Sequence, residues 1–229
     1  DIHRDYGYER SLQLQNLFGS HDTSRIGSAV VNPQFRQDHG AGVADNRSYD
    51  IRKPTAAEKQ RWKQMVAFQF LMPGAPYVYY GDEVGMWGAD DPDCRKPMIW
   101  SDLKYDDERA HPRGQPRPVD SVSVDNDFLK FYREWIGHRR ELAVLRQGDF
   151  KWVLVEDDRK LLAFRRSLAG REILAVFNAS AVAAPVAPSI IGMTDPAAWR
   201  AEFNAAGAVP NQILVPAHGF TVFQRNAPR

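Results

Sequence analysis

The spacing of apolar residues changes after Leu145, and this change limits the folds that the chain can adopt. Up to Leu145 the sequence reads as strand–helix–strand–helix with long polar loops. Beyond it, short runs of strand type follow one another at the spacing typical of an antiparallel β-sandwich. The sequence therefore predicts an α/β part over residues 1–145 and an all-β part over residues 146–229. The runs of strand type are residues 152–155, 161–164, 173–177, 199–203, 213–215 and 220–223.

Two short apolar runs in the first part predict strands. Residues 12–18 form one run, which ends at a Gly-Ser break. Residues 77–80 form the other, a wholly apolar and aromatic run that suits a parallel strand buried on both faces. A polar loop follows each run, over residues 21 to about 53 and 81 to about 124. Loops longer than about 15 residues are usually either functional or disordered.

One helix is predicted after each of these loops. Thr55, with Glu58 three residues later, has the capping-box pattern that marks a helix start, and Pro73 marks its end. The second helix is predicted over residues 127–142, where apolar side chains recur on one face.

Composition excludes several classes of function. The 229 residues include 30 Lys and Arg and 29 Asp and Glu, a formal net charge of +1, which gives no field for nucleic acid or an anionic membrane. The one cysteine, Cys94, excludes an intrachain disulfide and a zinc site built on several thiolates. No apolar stretch reaches the roughly 18 residues of a membrane helix. No residue pattern implies a cofactor or a metal.

Chemically active residues cluster in the loop after the first predicted strand. His21, Asp22 and Arg25 place an imidazole, a carboxylate and a guanidinium directly beyond the strand end. In parallel barrels, residues beyond the C-terminal ends of the strands form the active site. The alternative is a solvated turn in which Asp22 only accepts bonds from backbone N–H groups.

The loop after the second predicted strand carries two further groups. Asp82 and Glu83 follow the apolar run directly, either as site residues or as caps of the next segment. Asp91 and Arg95 lie in a short charged turn, where Arg95 can hold an oxygen-rich ligand by two parallel hydrogen bonds. The alternative is a solvated salt-bridge cluster. Cys94 lies in a turn rich in acids, with no obvious stabiliser of its thiolate, which argues against a nucleophilic role.

Three segments, in this order, resemble the α-amylase family of glycoside hydrolases. Residues 17–25 (LFGSHDTSR) resemble its fourth conserved region, and residues 73–85 (PGAPYVYYGDEVG) resemble its last barrel strand. Residues 91–100 (DPDCRKPMIW) are similar to the segment that follows in neopullulanases, cyclomaltodextrinases and maltogenic amylases. Ser20 stands where many α-amylases have Asn, as in that subgroup. The β-rich tail resembles the family's C-terminal sandwich, so the resemblance extends over nearly the whole chain.

The resemblance implies a fold and a reaction. The family fold is an eight-stranded (β/α)8 TIM barrel followed by a β-sandwich. Residues 1–145 would supply the seventh and eighth strand–helix units and residues 146–229 the sandwich. The family's nucleophile and acid/base follow the fourth and fifth strands, for which this chain has no counterpart. The expected function is the C-terminal portion of a retaining hydrolase of α-1,4-glucosidic bonds, inactive without the N-terminal barrel half. The alternative is a non-catalytic carbohydrate-binding or structural module derived from the family.

The resemblance also implies residue roles and partners. Asp22 matches the family's third acid, which binds the sugar 2-OH and 3-OH and favours the distorted, oxocarbenium-like state. His21 matches a neighbour that bonds hydroxyls of the same ring. Asp91 and Arg95 match a pair that contacts sugars further toward the non-reducing end, and Arg25 is expected to orient its loop. The expected partners are an α-glucan, maltooligosaccharide or cyclodextrin substrate and the N-terminal half of the same enzyme, with no nucleic acid or membrane. Homodimerisation is left open.

Overall fold

The chain forms two compact units. The computed structural model describes residues 2–35, 40–42, 44, 46–203, 207–208 and 211–226. The first unit is drawn from the described residues of Asp1–Leu14, Phe70–Ala75 and Gly137–Arg229, and the second from those of Gln15–Gln69 and Pro76–Ile136. The predicted division of the chain at residue 145 remains a prediction.

The helices and strands of the described residues follow in chain order. The helices are α1 (Ile2–Tyr6), α2 (Tyr8–Ser11), α3 (Ile26–Ala29), α4 (Ala56–Leu71), α5 (Asn126–Glu141) and α6 (Ala143–Gln147). The strands are β1 (Gln15–Leu17), β2 (Ala75–Tyr77), β3 (Glu108–Ala110), β4 (Pro116–Asp120), β5 (Asp149–Glu156), β6 (Leu161–Leu168), β7 (Arg171–Asn178), β8 (Ala184–Val186), β9 (Arg200–Glu202), β10 (Gly207–Ala208), β11 (Ile213–Val215) and β12 (Gly219–Asn226).

Helix α4 begins where the capping box predicts. The Thr55 N–H donates to Glu58 Oε2 at 2.8 Å, and the Glu58 N–H donates to Thr55 Oγ1 at 3.4 Å. Arg52 adds two hydrogen bonds to the Glu58 carboxylate, of 2.7 and 2.6 Å. These bonds from Arg52 lower the pKa of Glu58 to about 2. The predicted helix start is therefore confirmed. Along the helix, buried Trp62 packs on Phe128 of α5 with their ring centroids 4.4 Å apart.

The two short strands β1 and β2 pair with each other, but the second differs from the prediction. Strand β2 ends at Tyr77, so the predicted strand over residues 77–80 is wrong beyond its first residue. The strand stops because the backbone carbonyls that a longer strand would use accept other hydrogen bonds. The Tyr79 carbonyl accepts from the Asp82 N–H at 3.1 Å, which closes a turn, and the Tyr80 carbonyl accepts from the Arg25 side chain at 2.6 Å.

The strands of the first unit form open antiparallel sheets. Six of them lie in the order β10-β9-β12-β7-β6-β5, and β8 pairs with β11. Both sheets contribute to one core, which includes Leu174 of β7, Val186 of β8, Val215 of β11 and Trp199. The antiparallel arrangement agrees with the all-β class predicted for the second part of the sequence.

Arg166 organises the backbone where several elements of the first unit meet. Its buried guanidinium donates to the carbonyls of Leu71, Leu145 and Gly148 at 2.8, 3.0 and 2.9 Å. The Leu71 carbonyl belongs to the last turn of α4, whose carbonyls have no donor within the helix. Arg166 therefore supplies the buried carbonyls of Leu71 and Leu145 with a donor, whereas the Gly148 carbonyl also accepts from the Tyr8 hydroxyl.

Replacing this guanidinium should destabilise the chain strongly. In Arg166→Met the carbonyls of Leu71 and Leu145 lose this donor, at about 1–3 kcal/mol for each buried acceptor. We expect a loss of at least about 2 kcal/mol in the free energy of unfolding, measured by urea denaturation followed by circular dichroism. Arg171→Met, at an exposed position of β7, is the control and should change this free energy by less than about 0.5 kcal/mol. Equal losses in the two variants would contradict the role given to Arg166.

Candidate functional site

The four predicted site residues lie together in the second unit. Asp22 Oδ2 is 3.3 Å from His21 Nε2, and Asp22 Oδ1 is 3.4 Å from Arg95 Nη2. On its other side, Arg95 Nε is 3.2 Å from Asp91 Oδ1. Residues far apart in sequence thus form one row of contacts. Their side chains are 46% to 69% exposed, which leaves them open to a ligand.

A tight turn presents Asp22. The Ser20 N–H donates to Thr23 Oγ1 at 3.1 Å, and the Asp22 N–H donates to Ser20 Oγ at 3.1 Å. Hydroxyl side chains commonly close turns in this way. Because hydroxyls hold the turn, the Asp22 carboxylate remains available. Among the described residues it contacts the side chains of His21 and Arg95.

The second loop attaches to the first through the backbone carbonyl of His21. This oxygen accepts from Arg95 Nε at 2.8 Å and from Cys94 Sγ at 3.4 Å. Cys94 is buried, and this burial raises the pKa of its thiol. A buried, protonated thiol agrees with the expectation that Cys94 is not a nucleophile.

Arg25 joins the two loops from below the surface. Its fully buried Nη1 donates to the Tyr80 carbonyl at 2.6 Å and to Asp82 Oδ1 at 3.1 Å. Its guanidinium carbon lies 4.4 and 4.7 Å from the ring centroids of Tyr79 and Tyr80. This environment supports the expectation that Arg25 orients its loop.

Asp82 is the carboxylate partner of Arg25. From the sequence it could be either a site residue or a cap of the next segment. The structure places its carboxylate against Arg25, with 1% of the residue exposed. Burial raises the pKa of Asp82 to about 7, although Arg25 opposes the shift. The sequence places an arginine, Arg25, in one loop and two adjacent acids, Asp82 and Glu83, in the other. Nothing in the sequence indicates that Arg25 pairs with Asp82.

Aromatic side chains around the two loops fall into an exposed and a buried set. Exposed rings can stack on an apolar ligand face, whereas buried rings serve the core. The exposed rings are Tyr77, Tyr80 and Trp100, and the buried rings are Tyr49, Trp62, Tyr79 and Trp87.

The described residues show neither a metal-binding cluster nor a membrane-spanning helix. They contain no group of three or more His, Cys, Asp or Glu side chains arranged to hold a metal ion. Within the same residues, no helix combines the length and apolar character needed to cross a membrane.

The chain is similar to known proteins over most of its length. Residues 6–148 match the family model described as alpha amylase, catalytic domain. The chain is 36% identical over 165 residues to a cyclomaltodextrinase of Thermoanaerobacter pseudethanolicus, covering 72% of this chain and 21% of that protein. It is 31% identical over 173 residues to neopullulanase 2 of Thermoactinomyces vulgaris, covering 76% and 22%. The chain thus spans about a fifth of the length of these curated relatives.

Solved structures agree with these similarities. A cyclomaltodextrinase structure matches 93% of this chain, and 30% of its own, at a TM-score of 0.60 and 26% identity. The alpha-amylase of Geobacillus thermoleovorans, solved with acarbose, matches 99% of this chain and 42% of its own at a TM-score of 0.67. At 17% identity, this second likeness shows the fold alone.

The buried Asp82 predicts a specific pH dependence of stability. Its folded pKa of about 7 lies above the ordinary value of 3.8, so the fold favours the protonated carboxyl. The resulting stabilisation is complete below about pH 4 and is lost as the pH rises through 7. Asp82→Asn removes this titration. We therefore expect the free energy of unfolding of the variant, relative to the parent, to rise by up to about 1.4 kcal/mol per pH unit in that window.

Denaturation of both proteins at pH 5, 6, 7 and 8 measures this difference. The exposed Asp102→Asn is the matched control and should follow the parent at every pH. Parallel curves for Asp82→Asn and the parent would show that Asp82 does not titrate in this range.

Proposed function

The chain belongs to the alpha-amylase family, whose catalytic-domain model matches residues 6–148, and on this premise we propose that it is the C-terminal portion of a retaining α-glucan hydrolase of the neopullulanase or cyclomaltodextrinase type. The observation that carries the proposal is the assembly of His21, Asp22, Asp91 and Arg95 into one exposed row from two separate loops. Oxygen-rich ligands such as sugars are bound by carboxylates, imidazole and guanidinium in this kind of arrangement.

The proposed reaction needs two further carboxyl groups. A retaining glycosidase uses one carboxylate as the nucleophile and another carboxyl as the acid and base. In the proposal Asp22 performs neither task. It binds the 2-OH and 3-OH of the sugar undergoing reaction, and hydrogen bonds to the 2-OH that strengthen in the transition state supply several kcal/mol.

The remaining residues of the row are proposed to bind sugars. His21 bonds hydroxyls of the same ring as Asp22. Asp91 and Arg95 contact sugars further toward the non-reducing end. Arg95 Nη1 suits this role, because it bonds to no group among the described residues. The proposed substrates are α-glucans, maltooligosaccharides or cyclodextrins, and the proposed macromolecular partner is the N-terminal half of the same enzyme.

The proposed architecture follows from the same family. Residues 1–145 would be the last strand–helix units of a TIM barrel, and residues 146–229 a β-sandwich domain. Two features support this assignment. Strands β1 and β2 pair only with each other among the described residues, and Leu17 and Tyr77 on them are 49% and 37% exposed. Apolar side chains on open strands favour contact with further strands.

The 229-residue chain should not hydrolyse α-glucans by itself. Without a nucleophile and a proton donor, the covalent route is closed. Reducing-sugar release from pullulan, starch and β-cyclodextrin should therefore equal that of buffer. The protein encoded by the complete reading frame should release sugar from at least one of them. Release by the 229-residue chain that disappears in Asp22→Asn would overturn the proposal that it is an incomplete enzyme.

In the protein of the complete reading frame, Asp22→Asn should lower kcat far more than it raises KM. The contact that it weakens forms chiefly in the transition state, so a loss of at least about a hundredfold in kcat is expected. Arg95→Ala should raise KM, because its proposed sugar contact is remote from the broken bond. Steady-state kinetics on β-cyclodextrin measure both, with Asp102→Asn as the unaffected control. Small, equal effects of both changes would favour solvated turns without function.

A further inference from the structure

We propose that Arg95 is also a positioning residue for Asp22, holding its carboxylate in the orientation that the transition state requires. This inference rests on the proposed function, which gives Asp22 its role. It adds a second task to the proposed sugar contact of Arg95, and this second task acts on kcat rather than on KM.

The guanidinium of Arg95 is shared among three acceptors. Nε donates to the His21 carbonyl at 2.8 Å and lies 3.2 Å from Asp91 Oδ1, while Nη2 donates to Asp22 Oδ1 at 3.4 Å. A guanidinium is planar, so bonds from two of its nitrogens fix the direction of the third. The Nη1 edge remains for a ligand.

Asp22 has a side-chain neighbour at each carboxylate oxygen. Oδ1 faces Arg95 Nη2, and Oδ2 faces His21 Nε2 at 3.3 Å. The terminal torsion of an aspartate is broad, so a carboxylate held at one oxygen still rotates. The hydrogen bond from Arg95 to Oδ1 and the contact of His21 with Oδ2 together restrict this rotation and leave the remaining lone pairs for two neighbouring sugar hydroxyls.

The loop that carries Arg95 is itself anchored. Cys94 Sγ donates to the His21 carbonyl at 3.4 Å, and the Tyr80 hydroxyl donates to the Lys96 carbonyl at 2.7 Å. The residues on either side of Arg95 are therefore tied to the rest of the second unit. This anchoring allows Arg95 to transmit a fixed position to Asp22.

The consequence of the contact is orientation more than stability. The side chains of Arg95 and Asp22 are 46% and 69% exposed, and exposed ion pairs contribute little to folding. A catalytic group displaced by about 1 Å can nevertheless slow a reaction about a hundredfold. Loss of Arg95 should thus leave the fold intact and affect turnover.

A double-mutant cycle in the protein of the complete reading frame tests this inference, with β-cyclodextrin as the substrate. Arg95→Ala alone should lower kcat about 10- to 100-fold. In the Asp22→Asn background the same change should lower kcat less than about twofold, because the group that Arg95 positions has already been altered. Arg95→Lys should remain impaired in kcat, since a single ammonium cannot span the three acceptors. Arg109→Ala, at an exposed arginine paired with Asp107, is the matched control and should leave kcat unchanged.

Each other outcome is decisive. If Arg95→Ala raises KM and leaves kcat unchanged, or lowers kcat equally in both backgrounds, the positioning role is wrong and the proposed function stands. If Asp22→Asn does not lower kcat, the proposed function itself fails.

Where turnover in the Asp22→Asn background is too slow to measure, calorimetry with acarbose and maltotetraose replaces the kinetic measurement. Arg95→Ala should weaken binding of acarbose, whose ring is distorted, more than that of maltotetraose, and equal weakening overturns the inference. Arg95→Gln replaces the alanine variant if thermal melting shows that the latter is unfolded.

Discussion

The buried guanidinium of Arg25 is the interaction on which the candidate site depends. It belongs to the same loop as Asp22, and its partners Tyr80 and Asp82 belong to the loop that continues to Arg95. A buried charge is tolerated only where polar groups bond it, and the Tyr80 carbonyl and the Asp82 carboxyl serve as the acceptors of Arg25. The two loops are therefore held together by a contact beneath the surface. The exposed contacts among His21, Asp22, Asp91 and Arg95 are therefore not needed to hold the two loops together.

In the first unit, backbone carbonyls rather than a carboxylate bind the buried arginines. Arg139 donates to the carbonyls of Phe70 and Gly74, and Arg166 donates to the Leu71 carbonyl at the same end of α4. The C-terminal end of a helix carries partial negative charge, so backbone dipoles take the place of a carboxylate. Burial and the nearby Arg166 lower the pKa of Arg139 to about 10, which still leaves it charged at neutral pH. Stability gained in this way does not change with pH over the range in which Asp82 titrates.

Local sequence patterns predicted local structure correctly. They did not predict contacts between residues that are far apart in the sequence. The start of α4 could be predicted because Thr55 and Glu58 bond each other within one turn. The strand over residues 77–80 was mispredicted because Arg25, far away in sequence, takes the Tyr80 carbonyl that a strand would use. The four site residues could be named from the ordered motifs. The contact between Arg95 and Asp22 could not, because no periodicity or spacing relates two loops that meet only in the folded chain.

The carboxyl groups of the described residues also bear on where the proton donor lies. A general acid needs a carboxyl whose pKa is raised toward neutrality and which can reach the substrate. Asp82 meets the first condition, with a pKa of about 7, but it is 1% exposed and bound to Arg25. Asp22 and Asp91 are exposed, and both carboxylates lie against the guanidinium of Arg95. Asp82 is thus a carboxyl with a raised pKa that a substrate cannot reach. This separation supports the proposal that Asp22 stabilises a transition state whose proton is delivered by a carboxyl outside these three residues.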